Sequence, residues 1–519
     1  MNDRSIARLA SAAALLLAAG PALAGDWPQW GRDHTRNMVC GEKNLPSDFV
    51  AGKFVGASDD IDLATTKKVK WIAKLGSQSY GNPTVAHGRV FVGTNNDSPR
   101  DARLQGDRSD VYCLSEETGA LLWQLSVPKL GTGKVSDWEY LGICSSPAVD
   151  GERVYLVTNR CEVMCLDVDG LANGNQGDQD EGKYLAGPGN PPLELAETDA
   201  DILWRLDMID ECGVFPHNVT SSAVLVVGER LWVTTSNGVD YGHVETPAPN
   251  APALILVDKN TGALLGEEAS GLSQRLFHSN WTSPAYLRTD ELELAIFGGP
   301  DGFCYAFAPE PREDEDGFGL LVERWRFDCN KPEYRVDEDG KPRKYATRDG
   351  PSEVLATVVV HEGLVYAAIG QDPEHGEGVG NLVCIDPSGA GDVTRTNEVW
   401  SFDTIHRSIS TLSIADGLLY AADFSGFVYC LDARTGEHHW THDTMGHIWG
   451  STLVADGKVF VGNEDGYLTI LPTGKEYSKE AVIEIDMTSP IYSSLIAANG
   501  VLYVATHTHL FAFQEESGE

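Results

Sequence analysis

The sequence predicts an all-β fold: an eight-bladed β-propeller of four-stranded antiparallel blades, closed by an N-terminal strand. Three observations predict it. The stretch YCLDARTGEHHW, residues 429–440, has a near-copy in YCLSEETGALLW, 112–123, and a shorter one in VDKNTGALLG, 257–266. A pair of short strands joined by a tight turn recurs eight times, with second-strand cores at Val90, Val154, Leu231, Leu294, Val365, Leu419, Val459 and Leu502. The eighth copy stops at Phe513 without its last strand, while a Trp-bearing strand around Trp71 stands alone near the other end.

Each unit reads in the same order. A small-residue strand such as Ser145 to Val149 comes first, then an Asp-Gly turn and a strand such as Arg153 to Val157. A loop, a third strand ending in Leu-Asp, a Thr-Gly turn and a Trp strand complete it. The Gly in these pairs supplies the positive φ that tight hairpins need. Strands this short, alternating in polarity, in units of about 40 residues, match the period of propeller blades. The spacing and the missing last strand speak against an open solenoid or two sandwiches. The strand at Trp71 is read as the outer strand of blade eight, which removes the exposed edges of an open array.

The chain divides into a signal peptide over 1–24, an N-terminal extension over 25–66, the propeller over 67–514 and a tail over 515–519. Arg4 and Arg8, the apolar run from Leu9 to Ala19 and the Ala22-Leu23-Ala24 cleavage pattern carry the first assignment. No cysteine directly follows that site and no later run is long enough to span a membrane. A periplasmic or secreted location is expected. With 39 basic and 77 acidic residues the net charge is −38, a surface that repels nucleic acid and accepts cations or basic partners.

Four of the ten cysteines, Cys113, Cys165, Cys384 and Cys430, share a repeat position that elsewhere holds Ala306, Ile470 or Ala512. A slot open to Cys, Ala and Ile is an apolar core position, so these are expected as free, buried thiols. Cys144, Cys161 and Cys212 fall in polar loops, and Cys161 could meet either of the others.

The repeats "LDARTGEHHW" and "GFVYCLD", with the opening Asp26 to Asp33, resemble the pyrroloquinoline quinone (PQQ) repeat family over about residues 26–513. The resemblance implies a propeller whose outer-strand Trp residues dock blade to blade. It also implies relatives of two kinds: quinoprotein dehydrogenases, and an outer-membrane assembly lipoprotein that is a scaffold. The dehydrogenases hold PQQ between a Trp and a disulfide of adjacent cysteines, with calcium and a catalytic Asp. This chain has no adjacent cysteine pair, so none of those catalytic positions is carried over.

Long segments over 95–110, 130–144, 237–252, 331–352 and 371–380 share one face of a propeller, where a rigid scaffold usually holds function. The segment 167–201, on the other face, reads as a surface insertion. Residues just before the innermost strands are chemically dense, and His217, Asn218, His278, Trp281, Arg407, His447 and Trp449 are the predicted ligand pocket at the channel mouth. Imidazole, guanidinium and indole suit an anionic, flat or sugar-like ligand, or a metal shared by histidines. A second ring, including Asn95, Asn237, Asp301 and Asp423, follows the second strands and suits either calcium or turn formation. Asp372, His375 and Glu377 form a further metal-capable group, with spacing that matches no zinc motif.

Two readings stay open. The first is an exported binding module that takes a small-molecule or protein ligand at the channel mouth, without nucleic acid or a membrane span. The second is an atypical PQQ- or metal-dependent oxidoreductase; PQQ lacks a catalytic motif here, and calcium is the metal the resemblance implies.

Overall fold

In the computed structural model of the chain, residues 24–516 are described, apart from His375 and Glu377. The expected signal segment, but for its last residue, and two of the three residues of that metal-capable group lie outside these. Among the described residues no helix is long and apolar enough to cross a membrane.

Eight antiparallel sheets follow one another along the chain. Blade 1 comprises Thr84–Ala86, Arg89–Asn95, Arg108–Ser115 and Leu121–Pro128. Blades 2 to 7 have innermost strands Ala148–Asp150, Leu225–Val227, Ala285–Arg288, Val359–His361, Ser413–Ala415 and Leu453–Ala455. Blade 8 takes Ile496–Ala498, Val501–Ala505 and His509–Gln514 from the C-terminal end, and Val69–Lys74 as its outermost strand. Trp71 pairs with Ala512 there. The first two strands of several blades join through a turn with two positive φ angles, as at Asp416 (51°) and Gly417 (75°), the geometry that matches strand twist.

In four blades the cysteine of the shared repeat position faces the docking Trp across the sheet. Cys113 pairs with Trp123, Cys165 with Trp204, Cys384 with Trp400 and Cys430 with Trp440. Each indole donates to a carbonyl in the next blade: Trp123 to Val168 at 2.9 Å, Trp204 to Lys259 at 3.2 Å, Trp400 to Ala433 at 3.0 Å and Trp440 to Gly474 at 2.9 Å. The Thr-Gly glycine makes room for the ring. A Cβ on Gly436 would lie 2.7 Å from the Trp400 ring, and its φ of +71° disfavours a side chain anyway. Blade 3 has Gly266 where the Trp would stand, and the added strand Gly319–Leu321 pairs there instead.

All ten cysteines are free thiols, and the four of the shared slot are buried. Cys161 is buried and its thiol donates to the Thr235 carbonyl at 3.4 Å, so it is bridged to neither Cys144 nor Cys212. The segment 167–201, expected at the surface, is a wedge against blades 1 and 2. Its Tyr184 is buried and donates to Glu162 Oε2 at 2.6 Å, and its Leu185 carbonyl accepts from Arg108.

The N-terminal residues 26–42 touch all eight blades. Trp27 exchanges both backbone hydrogen bonds with Val85, and the N–H groups of Val149, Tyr286, Val360 and Val454 donate to Pro28, His34, Thr35 and Met38. Asn37 bonds Ile414 in blade 6, Arg36 reaches the Ala223 and Val224 carbonyls before blade 3, and the Glu42 carboxylate accepts from Asn499 and Gly500 in blade 8. Innermost strands leave one edge without a sheet partner, and this strap supplies partners along it.

Candidate functional site

The segments leading into the innermost strands converge at one end of the channel, as repeat geometry requires. They enclose a well with an upper chamber of about 420 Å³ and a lower one of about 190 Å³. Both chambers share Tyr80, Cys144, Trp281 and Trp449 as walls. Small polar residues that open the innermost strands, Ser146, Ser283 and Ser451 among them, ring the lower chamber, and Trp30 from the strap lies against it. Trp30 Nε1 donates to Thr357 Oγ1 at 3.1 Å, which fixes the indole there. The strap thereby contributes Trp30 to the wall of the lower chamber.

Aromatic rings dominate the wall. Trp449 stacks on Tyr492 at 4.7 Å and 17°, and Tyr80 lies 5.1 Å from Tyr492. Each indole is held by its polar edge: Trp449 Nε1 donates to Glu464 at 3.0 Å and Trp281 Nε1 to the Val219 carbonyl at 2.9 Å. The ring faces are thus fixed before any ligand arrives. Leu141, Leu355 and Ile409 fill the gaps, and the charged residues in the wall are both acidic, Asp372 and Glu374. Burial pushes the Tyr80 phenol up and the Cys144 thiol up to about 12, so both are neutral at pH 7 and Cys144 is not a thiolate nucleophile.

Of the seven residues predicted from sequence, Asn218, Trp281 and Trp449 line the well. His217 and His278 sit behind Trp281, their ring centroids 6.4 and 5.1 Å from it. Their Nε2 atoms are 3.1 Å apart, and His278 Nε2 lies 3.4 Å from Asp372 Oδ2. Glu353 lies beneath, accepting from the backbone N–H groups of His278 and Ser279 at 2.8 and 3.2 Å, and burial pushes its carboxyl well above the usual range. Arg407 and His447 converge on Phe424 instead. The guanidinium lies 4.7 Å over that ring and donates to the carbonyls of Asp372 and Gly376; the imidazole stacks on it at 4.6 Å. Both support the rim by packing: Phe424 meets Trp449 edge-on at 5.2 Å.

The second ring forms turns. Asp423 accepts from the Phe427 N–H at 3.0 Å and the Tyr429 hydroxyl at 2.8 Å, and Asp301 from Phe303 and Tyr305 in the same way. Asn95 and Asn237 accept from the backbone N–H groups of Ser77 and Phe215. Sequence reasoning missed Tyr80, Tyr492 and Trp30, and also His243, whose ring lies 5.0 Å from both His217 and His278. The length of its loop, 237–252, was the available signal.

The quinone cofactor of the resembling dehydrogenases does not suit these residues. All ten thiols are free and none has an adjacent cysteine, so the disulfide that would cover one quinone face cannot form. Carboxylates in the wall disfavour an anionic ligand.

No curated protein matches the chain. Among solved structures it resembles BamB from Moraxella catarrhalis, with 14% identity, a TM-score of 0.49, and coverage of 86% of this chain and 97% of that one. It also resembles the quinohemoprotein alcohol dehydrogenase ADHIIG from Pseudomonas putida HK5, with 12% identity, a TM-score of 0.54, and coverage of 95% of this chain and 82% of that one. At this identity the second likeness bears on the fold alone. A family model described as outer membrane protein assembly factor BamB matches residues 104–275 and 380–476, just over half of the chain, and the chain therefore belongs to this family of PQQ-like β-propellers.

Proposed function

We propose that the protein is an exported binding module of the cell envelope, and that its well takes a cationic organic ligand, flat or quaternary. The observation that carries this reading is the lining itself: pre-fixed indole and phenol rings with the carboxylates of Asp372 and Glu374 in the same wall. Ring faces attract cations within about 6 Å of the centroid, by about 0.5–2 kcal/mol per contact. Family membership supports a binding role in the envelope, and the leader-like residues 1–24 support export. The anionic ligand expected from Arg407 loses its anchor, because that guanidinium bonds backbone carbonyls.

Thermal shift with choline, and with PQQ plus calcium, tests the reading, since a ligand that binds only the native state raises its melting temperature. Choline is expected to raise it with increasing concentration and PQQ to leave both the melting temperature and its own absorption spectrum unchanged. A spectral change with PQQ would favour the oxidoreductase reading. A flat response to choline would remove the cationic-ligand reading.

A further inference from the structure

Three imidazoles meet at one point beside the well. His217 comes from the segment leading into blade 3, His243 from the loop between that blade's second and third strands, and His278 from the segment leading into blade 4. One nitrogen of each lies within 4.8 Å of the others. We propose that these three histidines, with the Asp372 carboxylate beside them, bind a zinc-type divalent metal ion.

The first support is protonation state. His217 Nδ1 lies 2.7 Å from the Val239 carbonyl, which can only accept, so Nδ1 carries the proton and Nε2 presents its lone pair to the cluster. A ligating imidazole held through its other nitrogen is the usual arrangement at metal sites. The second is spacing. Tetrahedral zinc with bonds of about 2.0–2.1 Å places its donors about 3.3 Å from one another. His217 Nε2 to His278 Nε2 is 3.1 Å, and His278 Nε2 to Asp372 Oδ2 is 3.4 Å.

The third support is His243. Its φ of 54° is unusual for a residue other than glycine. The loop is tied locally: Asp240 Oδ1 accepts from Val244 and Glu245, and the His243 N–H donates to the Asp240 carbonyl at 3.0 Å. That turn carries a solvent-exposed imidazole onto two buried ones, stacking it on His278 at 5.0 Å and 6°. Core packing has no need of a ring that stays exposed. Left-handed backbone held by its surroundings is a mark of functional sites. Three nitrogen donors and one oxygen select zinc-type ions over calcium, which takes 6–8 oxygens. Through Asp372, which also lines the well, the ion would adjoin any bound ligand.

The test uses untagged full-length protein, stripped by a chelator and titrated with zinc alone, with calcium as control. One zinc per chain is expected, with a rise in melting temperature that calcium does not give. Cobalt in place of zinc should give visible bands of four-coordinate intensity. His243→Asn keeps a residue that accepts left-handed backbone; it should leave the metal-free melting temperature unchanged and weaken zinc at least tenfold. Absence of a stoichiometric ion, or equal zinc affinity in His243→Asn, overturns the proposal. Neither outcome depends on whether choline binds, so the two readings fail separately.

Discussion

The indole N–H of Trp71 donates to the Glu116 carbonyl at 2.9 Å, joining blade 8 to blade 1 through a strand from near the chain's start. Beneath it Gly119 leaves no room for a Cβ, which would lie 2.7 Å from the ring. Trp71→Ala should therefore destabilise the protein by about 3–5 kcal/mol, the cost of truncating a buried Trp. Gly119→Ala should also destabilise, because its φ of +70° disfavours a side chain. Chemical denaturation of both variants checks this; wild-type stability in Trp71→Ala would place ring closure elsewhere.

Arg36 is wholly buried and its guanidinium bonds the carbonyls of Trp30, Pro284, Val224 and Ala223 at 2.6, 2.8, 3.2 and 3.4 Å. Burial lowers it to about 9, so it stays charged at pH 7. Arg36→Ala should cost about 2–4 kcal/mol, because several carbonyls lose a donor where water is scarce. Faster hydrogen exchange at the innermost strands of blades 3 and 4 would locate the damage; unchanged exchange there would contradict the role of the strap in tying those strands together.

His509 lies buried on the strand that pairs with Val69–Lys74, and burial lowers it to about 4. The unfolded chain takes up this proton near the ordinary value of about 6.5, and the folded chain does so only near 4. Stability is thus lost as pH falls from about 6.5 to about 4, by about 3 kcal/mol from this group. Asp110, raised to about 6 by burial, acts in the opposite sense between about 4 and 6. Comparing wild type with His509→Gln isolates the histidine: the variant should lose less stability over that window, and equal acid sensitivity would refute the assignment.

The thiols give a fourth prediction. Titration in denaturant should count ten, with and without reductant. A bridge involving Cys113, Cys165, Cys384 or Cys430 would break the core-slot argument.

The blades were legible because the same hairpin chemistry recurs. Asp-Gly and Thr-Gly turns, the Cys/Ala slot and the docking Trp all follow from local pattern, and Trp71 was readable as an orphan of that pattern. The strap was not: residues 26–42 carry no repeat, and their partners, from Val85 to Asn499, are scattered over the whole chain. The site was legible in part for the same reason. Repeat position places Asn218, Trp281 and Trp449 at the rim, but it cannot tell whether a side chain faces the channel. Arg407 and His447 turn to Phe424, and His243 sits in an irregular loop, 237–252, whose length and sequence the repeat does not set.

The account rests most on the well as the binding site, and intrinsic fluorescence under choline titration tests that directly. Trp281 and Trp449 wall both chambers, so a cation seated there should quench emission to saturation. Trp281→Ala and Trp449→Ala should each weaken the apparent affinity by about 5- to 30-fold, the equivalent of about 1–2 kcal/mol for a desolvated cation–ring contact. Saturable quenching that both variants retain at wild-type affinity would place the ligand outside the well and contradict the account.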